Sequence, residues 1–429
     1  MSVASFVEDF RRHAPAGSAW LAPVRRTAID RFAAAGFPTR HDEDWHFTSV
    51  RAIADAEWRP MASGRIHAAD LAPFTFDGEW TQIVFVNGRF AAELSSLRGL
   101  PAGVRVGPLG DEDVVRKHLT TLAPTDVAFT ALNTAFMTDG ALIQIPADVV
   151  VEHPIHVLYV TEGDVARGVT YPRTLIVAGR HAHATIVESY VSSGDAVYFT
   201  NAVTEVEVAE GAHIAHYRIQ RESDRAYHVG TTEVRQARDS RYHSFSFATG
   251  ATLARVNVYD VLGGQGGEAT LDGLYLADGT QHIDHQTRIE HVAPNCASRE
   301  VYKGVMDGAA HGVFNGKVYV HPEAQKTDGK QTNNNLLLSD RAHADTKPQL
   351  EIFADDVKCT HGATVGRLDE VALFYLKSRG ISADAARTLL TYAFAADVLQ
   401  RIDDTTVRTA LEALLLERFV GTTEAALTV

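Results

Sequence analysis

Cys359, one of the chain's two cysteines, stands two residues before His361 in the stretch Leu350–Gly380, LEIFADDVKCTHGATVGRLDEVALFYLKSRG. A thiolate and an imidazole are ligands for soft and borderline metals, and both serve sulfur chemistry. If residues 357–361 are extended, side chains two apart point the same way. Cys359 and His361 would then share one face of a strand. Two ligands do not close a metal site, because zinc and iron–sulfur centres take about four. A functional pair therefore needs ligands from elsewhere in the fold or from another chain. The residues alone also fit a plainer role, a small buried thiol beside a hydrogen-bonded histidine.

The pair sits where the composition changes. From Ala141 to about His361 the chain shows repeated short strand-like runs: Leu142–Ile145, His156–Thr161, Arg173–Val177, Ala184–Tyr190, Asn201–Val208, Ile214–Ile219, Glu233–Arg238, Tyr242–Phe247, Ala254–Leu262, Ala269–Leu276 and Gly316–Val320. They alternate polar and apolar residues, as in Thr204-Glu205-Val206-Glu207-Val208. Regular short strands over such a length predict a sandwich, a barrel or a β-solenoid. The dipeptide Ala-His occurs at 182–183, 212–213, 310–311 and 342–343, separated by 30, 98 and 32 residues. Those separations are near one, three and one units of about 31–33 residues, which favours stacked repeats. A solenoid's open ends need caps, and helical patterns lie at both ends of this chain.

At the N-terminus, Phe6, Phe10, Trp20, Leu21, Ile29 and Phe32 recur near helical spacing, with Pro15–Gly17 dividing two segments. Asp42, Glu43 and Asp44 read as the solvated cap of a short turn, with Trp45 and Phe47 packed beneath. The flanking His41 and His46 have nothing to fix metal geometry. Asn87-Gly88 marks a hairpin between Gln82–Val86 and Arg89–Ala91, and Asp111–Met137 reads as helical, broken at Pro124. Downstream, Asp369–Ser378 predicts a helix stopped by Gly380. Ser382 caps the next, and Thr405–Phe419 forms a third. The organisation expected is a helix-rich part over 1–140, a β core over 141–366 and a helical part over 367–429.

Three other motifs weigh against chemistry. Gly263-Gly264-Gln265-Gly266-Gly267 lacks a GK[ST] ending and precedes a strand, so it reads as a tight turn, not a phosphate cradle. Asn333-Asn334-Asn335 reads as a stacked amide ladder or turn of a solenoid, ahead of catalytic amides. Asp355-Asp356, as adjacent strand residues, would face opposite ways and could not flank one substrate atom. Cys296, in a turn after a proline, reads as structural. The 20 histidines appear scattered, with no HExxH.

The chain has 429 residues, 45% hydrophobic and 22% charged, with a net charge of −14. That length predicts two or three domains. The acidic balance argues against a nucleic-acid-binding protein and against adhesion to anionic lipid. Two cysteines do not make a disulfide framework. No apolar run approaches the roughly 18–20 residues of a membrane span, and the first residues lack a secretory signal's apolar core. The expectation is a cytoplasmic protein with free thiols.

The run from Tyr302 to Ile381, YKGVMDGAAHGVFNGKVYVHPEAQKTDGKQTNNNLLLSDRAHADTKPQLEIFADDVKCTHGATVGRLDEVALFYLKSRGI, resembles the SufB/SufD family of SUF iron–sulfur cluster assembly scaffold subunits. GFPTRHDEDWHFTSV, residues 36–50, resembles the family's N-terminal motif. Asn333–Leu337 replaces a cysteine-bearing segment expected in SufB, and Cys359-Thr360-His361-Gly362-Ala363 replaces a Glu-rich HEA motif, so the resemblance is to the SufD side. His311 stands where a basic residue such as arginine is expected in many relatives, which bears on a fixed charge there and not on the family.

This resemblance implies a right-handed parallel β-helix flanked by helical domains and a scaffold role without catalysis. It implies a SufB-like partner bound through the β-helix and a SufC-like ATPase docked on the C-terminal helices, with ATP bound by that partner and not by this chain. It further implies a transient iron–sulfur cluster at the shared interface, with His361 as a metal ligand and Cys359 as a secondary one. Apart from the resemblance, the exposed edge of a β-helix would also allow a homodimer when the chain is isolated. Two readings compete. β-Helices also host polysaccharide-cleaving enzymes with clustered carboxylates, although no such constellation stands out here. A stand-alone metal-binding protein would use the histidine-bearing strands.

Overall fold

The computed structural model describes residues 3–13, 15, 18–76, 79–162 and 167–420; the last part of the expected C-terminal region, 421–429, lies outside them. The chain is mostly strands, wound into a parallel β-solenoid of about eight turns with helices at both ends. Two sheets face each other. Among the described residues the first has 11 strands and ends on His343–Ile352, and the second has 10 and ends on Lys358–Gly366. From Arg173–Ala178 onward consecutive strands alternate between the sheets, so each pairs in parallel with the strand one turn earlier. From Phe199 onward, partners across neighbouring turns are separated by between 26 residues (Tyr227 and Leu253) and 32 (His311 and His343).

The Ala-His dipeptides open strands, and within each sheet they stack: His183 faces His213, and His311 faces His343. The separation of 98 is not three turns, because it crosses from the second sheet to the first. The period is also shorter and looser than the dipeptides alone indicate. The hairpin forms at Asn87 (φ 52°) and Gly88 (φ 75°), both in the left-handed region that its turn requires. Its first strand, Thr81–Val86, also pairs in parallel with Ile155–Thr161 and so starts the second sheet. The glycine-rich segment 263–267 is a turn between Leu253–Leu262 and Glu268–Ala277, as its composition indicates.

The solenoid is covered on both outer faces. Val3–His13, Leu21–Ala35 and Ala128–Phe136 bury Phe6, Phe10, Phe32, Phe129 and Phe136 against Tyr171, Phe199, Val229 and Leu253 of the first sheet. Ala383–Leu399 and Thr405–Val420 bury Val398, Leu399, Leu411 and Leu415 against Phe245, Phe247, Leu274 and Val305 of the second. Lys303 fixes that contact, with Nζ 2.6 Å from Asp397 and 3.0 Å from the Phe394 carbonyl. Ser382 caps Ala383–Leu399 by accepting the Ala385 amide. One buried pair ties the N-terminal part to the first sheet: Arg173 meets Glu205, which accepts the Thr120, Leu122 and Ala123 amides. Among the described residues no helix is long and apolar enough to cross a membrane.

Candidate functional site

The last strand, Lys358–Gly366, continues the second sheet from Asp328–Leu337, with Gly329 opposite Cys359 and Gln331 opposite His361. Along Asp328–Leu337, Gly329, Gln331, Asn333 and Asn335 are buried facing inward, and Leu336 is buried on the outer face against the C-terminal helices. Side chains alternate across a strand, so Cys359 and His361 lie on the solenoid's inner face. They do share a face, as their spacing predicts. What the spacing could not say is that this face is the end of the interior column. Among the described residues no strand pairs beyond Lys358–Gly366. His361 is therefore exposed although it sits in an interior file, and it makes no hydrogen bond or ion pair among the described residues. Ile352, Phe353 and Val365 are exposed at the same end.

Cys359 is half-buried. It packs against Val318, Val320, Ala324 and Ala354, and a Cβ at Gly329 would lie 3.4 Å from its Sγ. Burial pushes the Cys359 thiol up, and the charge of Asp328 adds to this, against the Gly329 amide. The thiolate is the ligand form, so metal binding at Cys359 has a proton to remove first. Cys296 is fully buried, donates to the Gly264 carbonyl at 3.3 Å and is pushed up by burial. It locks the glycine turn, as a structural thiol does. Both cysteines are free.

Beneath His361 the file continues through Gln331 to Glu300. Gln331 Nε2 donates to Glu300 Oε2 at 2.6 Å. Glu300 is buried, and that burial raises its carboxyl to about 7 against the opposing contacts of Thr287 and Gln331. Beside this file the asparagines form a floor. Asn335 donates to Asn333 at 2.6 Å, Asn333 donates to Tyr275 Oη at 3.2 Å, and Tyr275 donates to Asn335 at 2.5 Å. Asn334 points outward and accepts from Thr364 of the last strand at 2.8 Å. The three amides are thus neither a ladder nor a turn: they are strand residues that satisfy different partners. Asp355-Asp356 also departs from expectation. It lies in the bend between the last two strands, where Asp356 pairs with Lys326.

Gln331 and Glu300 were not singled out by their sequence context. Their signal is register, which needs the turn length. His41 and His46 are exposed, and Trp45 is buried beneath the Arg255 guanidinium at 3.6 Å, so that segment packs against the first sheet.

Residues 159–394 match the family model "SUF system FeS cluster assembly, SufBD core domain", and residues 8–157 match "SufBD protein N-terminal region". The chain belongs to the SufBD family. It is 32% identical over 410 residues to the iron–sulfur cluster assembly protein SufD of Escherichia coli, covering 93% of each chain. It is 34% identical over 394 residues to a Synechocystis iron–sulfur cluster assembly SufBD family protein, covering 88% of this chain and 86% of that one. Protein ABCI7, chloroplastic, of Arabidopsis thaliana is 30% identical over 420 residues, 95% of this chain and 88% of the relative. The SufB/SufD resemblance read from Tyr302–Ile381 and residues 36–50 thus extends along nearly the whole chain, and the solenoid expected from the strand pattern is the fold observed.

Proposed function

We propose that this chain is a scaffold subunit that supplies His361 to a nascent iron–sulfur cluster at an interface with a SufB-like partner. The observation that carries the reading is the exposed His361 imidazole at the end of the interior column, unpartnered and uncovered among the described residues. A neutral imidazole nitrogen is a good ligand for iron. The cluster is cargo here, so labile ligation by imidazole suits release better than a closed thiolate cage. Cys359 stands two residues away on the same face and becomes a ligand only on losing its proton. The remaining ligands come from the partner and from sulfide.

The same end fits a docking role. An open parallel edge offers unpaired backbone groups, and exposed Ile352, Phe353 and Val365 surround it. A SufB-like chain covers that edge in the assembled complex, and a second copy does so in isolation. The C-terminal helices supply a separate surface. On Glu370–Ser378, Val371, Phe374 and Tyr375 are 75%, 71% and 56% exposed, a cluster that fits a SufC-like ATPase. ATP is bound and hydrolysed by that subunit, and its closure shifts the helices relative to the solenoid.

The test is His361→Ala, expressed with the partner subunits and purified anaerobically. The variant is expected to keep the fold and the partners and to lose most of the cluster absorbance and bound sulfide. A variant that assembles as much cluster as the parent would refute His361 as a ligand.

A further inference from the structure

We propose that His311, His343 and Asp345 form a second metal site, for one divalent first-row transition-metal ion, on the outer face of the first sheet. His311 and His343 are direct cross-strand partners with ring centroids 4.9 Å apart. Asp345 is two residues beyond His343 and therefore on the same face. Its Oδ2 lies 2.7 Å from His311 Nε2 and 3.3 Å from His343 Nε2. One ligand atom from each of the three residues falls within 4.8 Å of the others. A metal about 2.1 Å from each donor holds the donors roughly 3–3.5 Å apart, so the two measured edges are close to a bound geometry. The third edge closes by movement of His343, whose side chain is 63% exposed.

The surroundings reserve these three groups. His282 continues the stack, its ring 4.6 Å from that of His311. Its Nε2 is already held 2.8 Å from Thr48 Oγ1, and Thr48 donates to Asp284 at 2.5 Å. Asp284 in turn pairs with Arg255 at 2.8 Å. Those inner groups have partners of their own, which leaves the two outer imidazoles and one carboxylate facing solvent. Two histidines and a carboxylate with open positions suit Fe2+, Co2+ or Zn2+. Mg2+ and Ca2+ prefer all-oxygen sites. The site is distinct from that of His361. It lies on the outer face of the first sheet, whereas His361 lies on the inner face of the second.

The full chain, freed of any affinity tag, would be titrated with Co2+ alone and followed by its visible absorption. One ion per chain is expected. His343→Ala and Asp345→Asn should each weaken binding at least about tenfold. His343 is exposed, so its replacement leaves packing intact. A His343→Ala protein that binds Co2+ as tightly as the parent would overturn the site, as would a parent chain that takes up none at millimolar Co2+. No sulfide or partner enters this assay, so its outcome is independent of the cluster reading.

Discussion

Glu300→Gln probes the interior file beneath His361. Glu300 is fully buried, and that burial moves its carboxyl from 4.5 to about 7, against the contacts of Thr287 and Gln331. The folded chain therefore holds a proton that the unfolded chain has released between those two pH values. Stability falls as pH rises through this window, because the unfolded state binds fewer protons there. At about 1.4 kcal/mol per pH unit, the loss is about 1 kcal/mol at pH 5 and about 3 kcal/mol at pH 8. Glutamine has the same shape, and its carbonyl can still accept from Gln331 Nε2, but it carries no titrating proton. Denaturant unfolding of both proteins at pH 5 and pH 8 measures the difference. The variant should gain about 2 kcal/mol on the parent between the two pH values. An offset that stays the same at both would show that Glu300 does not ionise in this window and would refute the account of the buried file.

Phe374→Glu removes an apolar side chain that is 71% exposed, so stability should change by less than about 0.5 kcal/mol. Co-purification of a SufC-like ATPase should be lost while a SufB-like partner is retained, as identified by mass spectrometry. Alkylation separates the two thiols. Cys359 is half-buried and Cys296 fully buried, and burial raises both thiols. In the native chain near neutral pH, iodoacetamide should modify Cys359 more slowly than a free thiol and Cys296 only on unfolding. Peptide mapping over time reads both rates.

The terminal helices were legible because local rules govern them. Asp369 and Ser382 cap two of the helices just where such residues should stand, and their apolar residues recur at helical spacing. The strands from Ala184 to Leu276 were legible for a similar reason: alternation of apolar and polar residues marks a buried face. His282–His291, Ala297–Met306, Asp328–Leu337 and His343–Ile352 were not. In Asp328–Leu337 the inward positions are Gly329, Gln331, Asn333 and Asn335. A strand whose buried face is polar has no apolar period, and only partners on neighbouring turns make that face stable.

By itself, the sequence determined a repeated β core, helical ends, a Cys-x-His pair on one strand face and the family these belong to. Tertiary structure decided the rest. Turn length set which residues stack, and small variations in it could not be read from the Ala-His spacing. Stacking put Gln331 and Glu300 under His361. It brought His311 and His343, 32 residues apart in the chain, into register beside Asp345. It also left His361 at the last turn, where an interior position becomes a surface because no further strand among the described residues covers it.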